Sequence, residues 1–219
     1  MIDLRSDTVT RPSAAMMEAM ISAQTGDDVY GEDPTVNKLE TLAAELTAKE
    51  AGLFVSSGTQ GNLLALLSHC ERGDEYIAGQ DAHTYQFEGG GGAVLGGIQP
   101  QPLAFNDRGE LDLNEIATAI KPNDYHFART RLVCLENTQS GKVLSLDYIQ
   151  RFSAFVAERG LRTHLDGARV FNASVRLEVP VDEITRHFDT VSICLSKGLA
   201  APVGSLLVGD KKTIARARR

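Results

Sequence analysis

The sequence is short of cysteine, with three in 219 residues, Cys70, Cys134 and Cys194, and no pair at zinc-site or redox spacing. That excludes a cysteine metal framework. The three read instead as small core residues in a reducing compartment. It is short of positive charge as well. Lys and Arg total 22 against 29 Asp and Glu, a net charge of −7 that argues against a nucleic-acid binder held by phosphate contacts. No apolar run is long enough to cross a bilayer. The first residues, Met1-Ile2-Asp3-Leu4-Arg5-Ser6-Asp7, carry acids where a signal peptide needs a basic and then an apolar region. The expectation is a cytosolic protein with no nucleic-acid or membrane partner. There is neither an internal repeat nor a low-complexity linker, so the chain is one large α/β domain, or one domain and a fragment of another.

What is present is an alternation. From about residue 53 to 208, short runs of β-branched and apolar residues alternate with stretches of helical periodicity. That order predicts a mostly parallel sheet, seven-stranded in type, with helices on both faces. The boundaries expected are an N-terminal arm and helices over 1–50 and a ligand-binding domain over 51–219. Pro12 is expected in the first turn of a helix ending near Ser22, and Asp33-Pro34 begins a packing helix. A helix is expected from Leu63 to Cys70, and another starting at Gly167.

Three stretches carry chemistry. In Ser192-Ile193-Cys194-Leu195-Ser196-Lys197-Gly198, one lysine stands at the tip of a buried strand. A lysine there loses water, which favours the neutral, nucleophilic amine used to form Schiff bases; a surface lysine after a strand is the plainer reading. Ser56-Ser57-Gly58-Thr59-Gln60-Gly61-Asn62 sits between a strand and a helix. Its N–H groups, helix dipole and hydroxyls suit a single phosphate, although many such turns merely cap their helix. Asp166 ends a strand and is followed by Gly167 and Arg169, in the ligand crevice of a doubly wound sheet or, more plainly, as a helix cap. His83 also stands just beyond a strand end, whereas His126 lies in a polar connection. A metal site through His164 and Asp166 lacks a recognisable third ligand.

Taken together, these features resemble the large domain of a fold-type I enzyme dependent on pyridoxal 5′-phosphate (PLP). More narrowly, the sequence resembles the low-specificity L-threonine aldolases of the β-eliminating lyase group. The matching stretches are Asp3-Leu4-Arg5-Ser6-Asp7-Thr8-Val9-Thr10, Gly26-Asp27-Asp28-Val29-Tyr30-Gly31 and Ser57-Gly58-Thr59-Gln60-Gly61-Asn62. His164-Leu165-Asp166-Gly167-Ala168-Arg169 and Ser196-Lys197-Gly198-Leu199 complete the set.

The resemblance implies that Lys197 carries PLP as an imine and that Asp166 keeps the pyridine nitrogen protonated. It places the phosphate on Ser57, Gly58 and Thr59, His83 over the ring, and Arg169 near the ring oxygen or the substrate carboxylate. Ser6 approaches that carboxylate too, and Tyr30 belongs to this site or to a neighbouring subunit's. His83 and His126 are the candidates for moving the β-hydroxyl proton. The implied reaction is retro-aldol cleavage of L-threonine or L-allo-threonine to glycine and acetaldehyde, by a homo-oligomer (dimer or tetramer) in the full-length form and without a metal. Gln139 and Ser140 stand where relatives often carry histidine and asparagine, which bears on substrate preference. The family continues beyond Arg219 into a glycine-rich segment and a smaller C-terminal domain. Three alternatives differ in outcome: another PLP β-eliminating lyase would yield pyruvate and ammonia, a non-catalytic PLP- or phosphate-binding domain would turn nothing over, and a metal-dependent hydrolase would use His83, His126, His164 and Asp166.

Overall fold

The structure, a computed structural model, describes residues 2–219. Its elements are α1 (Ala14–Ser22), α2 (Pro34–Leu46), β1 (Ala51–Val55), α3 (Gly58–His69), β2 (Asp74–Gly79), α4 (His83–Gln86), α5 (Gly91–Val94), β3 (Gln99–Leu103) and α6 (Leu113–Ala119). They continue with β4 (Arg129–Glu136), α7 (Leu146–Glu158), β5 (Arg162–Asp166), α8 (Val170–Leu177), α9 (Asp182–Thr185), β6 (Thr190–Cys194), β7 (Ser205–Gly209) and α10 (Lys211–Arg218). The strands form one seven-stranded sheet in the order β1-β7-β6-β5-β4-β2-β3. Only β7 runs against its neighbours, pairing antiparallel with β1 and β6. The carboxyl ends of the other six therefore meet along one edge, where open α/β sheets place their ligands.

Alternate residues of each strand face opposite ways. Ile77, Val133, Leu135, Leu165, Val191 and Ile193 form the main core with residues of α2, α6, α7, α8 and α9. Ala43 brings α2 into that same core. The opposite face is covered by α3 and α10, with Ala65, Leu66, Ile214 and Ala217 against Leu53, Leu207, Leu132 and Cys134. Helix α7 follows from its sequence: the Ser145 hydroxyl accepts the Tyr148 N–H, and Tyr148, Ile149, Phe152 and Val156 fall on one buried stripe. Among the described residues, no helix is long and apolar enough to cross a membrane.

Three boundaries differ from expectation. The helix expected at Leu63 begins at Gly58, because the Ser57 hydroxyl caps it and adds a turn. Gly167 does not start a helix: Val170 does, and the Gly167 N–H donates to the Ser192 carbonyl at 2.9 Å instead. Pro12 precedes its helix rather than entering it, since Ser13 is the cap and accepts the Met16 N–H at 3.3 Å. In each case a side-chain cap or a tertiary hydrogen bond, rather than residue periodicity, sets the boundary.

Candidate active site

The site is assembled at the shared carboxyl edge, beginning with the start of α3. Ser57 is extended (φ −155°, ψ 162°) and its hydroxyl accepts the Gln60 N–H at 3.1 Å. The N–H groups of Gly58 and Thr59, first in the helix, have no intrahelical acceptor and point out of its positive end. A Cβ at residue 58 would lie 2.8 Å from the Cys194 sulfur, so only glycine lets the helix start press onto β6. Beneath it, the buried Ser205 hydroxyl has no hydrogen-bond partner among the described residues.

Next to this start lies a row of polar residues. Glu136, Asp166 and Ser192 are register partners on β4, β5 and β6, so their side chains leave the same face side by side. Asp166 is 4% exposed. One of its oxygens accepts from Asn62 Nδ2 at 2.8 Å and the other from the Ala168 N–H at 3.1 Å. Asn62 Nδ2 also donates to Glu88 at 2.7 Å, and the same Glu88 oxygen lies 2.8 Å from His83 Nδ1. The backbone N–H of His83 donates to Glu136 Oε2 at 2.8 Å.

This crowding shifts ionisation. The hydrogen bond to Glu88 raises the His83 imidazole above its ordinary value and favours the cation. Burial, with the Asp166 charge beside it, pushes the Glu136 carboxyl up to about 7. Ligand atoms of His83, Glu88 and Asp166 lie within 4.8 Å of one another, a third partner that sequence spacing did not suggest. His164 cannot complete a metal set, because both its ring nitrogens are engaged, by Thr190 at 2.9 Å and Asn62 at 3.0 Å.

Lys197 follows β6 by three residues, and its carbonyl accepts the Thr10 hydroxyl at 2.5 Å. Its ammonium is near enough to weigh on the ionisation of Asp7, His83 and Glu136. The N-terminal arm closes the site from above. Asp7 takes Arg169 in a two-pronged pair at 2.9 and 2.6 Å, which holds the Asp7 carboxyl below its ordinary value. Ser6, Asp7, His83, Glu136 and Arg169 line one cleft of about 780 Å³.

The fold thus gathers Ser6, His83, Asp166, Arg169, Lys197 and the Ser57–Thr59 turn along one edge. Two expected site residues stand elsewhere. Tyr30 is 78% exposed on a loop tied to α10 by an Asp28–Arg218 ion pair of 3.6 Å. His126 lies before β4, at the amino end of the sheet, bonded to Asp124 at 2.7 Å and tilted against the Tyr125 ring, with centroids 4.0 Å apart. Sequence reasoning passed over Asn62, Glu88, Glu136 and Asp7 as site residues. Glu136, the last residue of its strand, had a readable signal; Glu88, in the bend between α4 and α5, had none.

The chain matches the beta-eliminating lyase family over residues 3–219. It is 61% identical over its whole length to the low specificity L-threonine aldolase of Escherichia coli K12, of which it covers 66%. It is 48% identical over 99% of its length to a probable low-specificity L-threonine aldolase 2 of Arabidopsis thaliana, covering 63% of that protein. The solved threonine aldolase of Leishmania major superposes on 97% of the chain and over 64% of its own, with TM-score 0.82 and 25% identity. The chain spans just under two thirds of the length of these relatives.

Proposed function

The chain belongs to the beta-eliminating lyase family, and we propose that its protein uses PLP to cleave L-threonine or L-allo-threonine into glycine and acetaldehyde. The observation that carries this reading is Asp166, a carboxylate 4% exposed at the end of β5, on the edge shared by the glycine start of α3 and by Lys197. A buried carboxylate suits a cationic ring nitrogen, unpaired N–H groups at a helix start suit a phosphate, and a lysine amine suits an aldehyde. The names of the relatives point to the same substrate class.

PLP, when bound, supplies an electron sink for the pair left on Cα as the Cα–Cβ bond breaks. The chain's residues do the rest. Lys197 Nζ would hold the cofactor through its aldehyde. Asp166 would keep a proton on the ring nitrogen, while Gly58 and Thr59 would donate N–H groups to the phosphate beside the Ser57 hydroxyl. His83 would cover the ring. Arg169 and Ser6 receive the substrate carboxylate, which must compete with Asp7 for the guanidinium. The β-hydroxyl proton has two takers in the cleft, the neutral fraction of His83 and the ionised form of Glu136, whose carboxyl titrates at about 7.

In this reading residues 51–219 form the cofactor-binding domain, with residues 1–50 an arm and helices that close over it. Tyr30, outside its own cleft, would serve a neighbouring subunit's, in keeping with a homo-oligomer, dimer or tetramer, in the full-length form. Three buried free cysteines suit the cytoplasm. The test is product analysis on PLP-loaded protein. Glycine and acetaldehyde from L-threonine are the expected result; pyruvate and ammonia from a β-substituted substrate would point to another lyase, and no product to a binding domain.

A further inference from the structure

We infer that Asn62 is a positioning residue for Asp166, and that its amide, turned by the two carboxylates it serves, sets the single direction of a chain of buried hydrogen bonds through His164 and Thr190 to His69. The inference rests on the PLP reading above. It begins with an amide side chain, 1% exposed, whose hydrogen-bonding positions are all filled. Its nitrogen serves two carboxylates, Asp166 at 2.8 Å and Glu88 at 2.7 Å. Carboxylate oxygens accept, so this end must be the NH₂. Its oxygen meets Ser192 Oγ at 2.6 Å and His164 Nε2 at 3.0 Å, and both must therefore donate.

The demand on His164 propagates. A proton on Nε2 leaves Nδ1 of the neutral ring as an acceptor, so the Thr190 hydroxyl, 2.9 Å away, donates to it. Having given its proton, Thr190 Oγ1 accepts from His69 Nε2 at 2.9 Å. Burial keeps both rings neutral at physiological pH, His164 titrating at about 3 and His69 at about 4. Every bond in the series then has one permitted direction. It runs from α3's last turn, under the sheet face, back to α3's second turn and on to Asp166.

The consequence concerns the cofactor. Without a donor between them, the Asp166 and Glu88 carboxylates would repel across less than 4.8 Å. With Asn62 and the Ala168 N–H each occupying one oxygen of Asp166, the carboxylate cannot rotate, yet both oxygens keep room for another donor. That is the arrangement a cationic ring nitrogen needs. Glu88, held by the same amide, in turn holds His83.

The experiment uses the 219-residue chain. In cofactor-free protein labelled with ¹⁵N-histidine, His164 is expected as the neutral Nε2–H tautomer, and Asn62→Ser, which removes the amide oxygen that demands that proton, is expected to release that preference. In PLP titrations Asn62→Ser is expected to weaken binding by about ten- to hundredfold, the scale of one hydrogen bond to a charged group, and to alter the visible imine absorbance. A merely structural role would lower the melting midpoint and leave the absorbance of the folded protein unchanged. If Asn62→Ser does not fold, Thr190→Val carries the same titration, with a weakening of about two- to tenfold expected. An Nδ1–H tautomer in the parent, or folded variants that bind PLP as the parent does, overturns the inference alone. A parent that takes up no PLP overturns the proposed function together with it.

Discussion

The two faces of the sheet are made from alternate residues of the same strands, yet they are built on different principles. Toward α7 and α8 lie Val133, Leu135, Leu165, Val191 and Ile193, closed and apolar. Toward α3, the intervening residues include Glu136, His164, Asp166, Thr190 and Ser192, equally buried or nearly so but polar. The first face excludes water through packing alone. The second is tolerable only because almost every polar atom on it has a partner; Ser205 Oγ is the exception on it among the described residues. Because the side-chain period is two, a slip of one residue in β5 would exchange Leu165 for Asp166 and ruin both faces together. Stability and chemistry are thus separable by side, and substitutions can test the separation.

The largest effect is expected from Lys197→Ala, which should abolish the imine-type visible absorbance of PLP-loaded protein; absorbance that persists identifies another amine as the anchor. Asp166→Asn should leave PLP bound but slow threonine cleavage by about a hundredfold or more, the scale of losing one preorganised charge partner, and parent-like turnover would break the assignment of the polar face. One residue away, Leu165→Ala should cost about 2–5 kcal/mol in denaturant unfolding while the folded variant keeps its absorbance. A changed absorbance there would mean that the faces are coupled.

Glu136→Gln sharpens the comparison through pH. The folded carboxyl holds its proton to about 7, whereas the unfolded one releases it near the ordinary glutamate value. Folding therefore loses stability as pH rises through that window. The variant should match the parent in acid and exceed it above pH 7 by roughly 1–2 kcal/mol after allowance for solvent screening. Equal stabilities at both ends of a pH series would show that Glu136 is charged without penalty. The smallest effect belongs to His126→Ala, a change at an exposed ring, expected to stay within about 0.5 kcal/mol in unfolding and to leave PLP absorbance intact.

Much of this was legible before the fold. Alternating strand and helix patterns specified a parallel sheet, and strand-end positions picked out Asp166, His83 and Lys197, because in such sheets the carboxyl edge is where ligands sit. The glycine turn was legible as well, and the steric reason at Gly58 is now visible in the Cys194 sulfur beneath it. Asn62 lay in plain view within Ser57-Gly58-Thr59-Gln60-Gly61-Asn62, but nothing local marks which residue of a helix's second turn will meet a strand residue 104 positions later. Glu88 was hidden similarly, behind a glycine run whose left-handed Gly89 and Gly90 (φ +61° and +67°) turn the chain into α5. His126 and Tyr30 carried suitable chemistry, but a residue's type says nothing about which end of the sheet its loop occupies.

What the sequence determined by itself were the elements and the chemically capable residues, since periodicity, caps and turn glycines act over a few neighbouring positions. What only the tertiary structure decided was company: that Asp166 shares an amide with Glu88, that Asp7 occupies Arg169, and that Glu136 stands beside Asp166 and holds its proton to about 7. Those outcomes depend on distances across strands and on burial. Both are properties of the packed chain, and they fix which of its many acids and bases can be charged, oriented and dry at once.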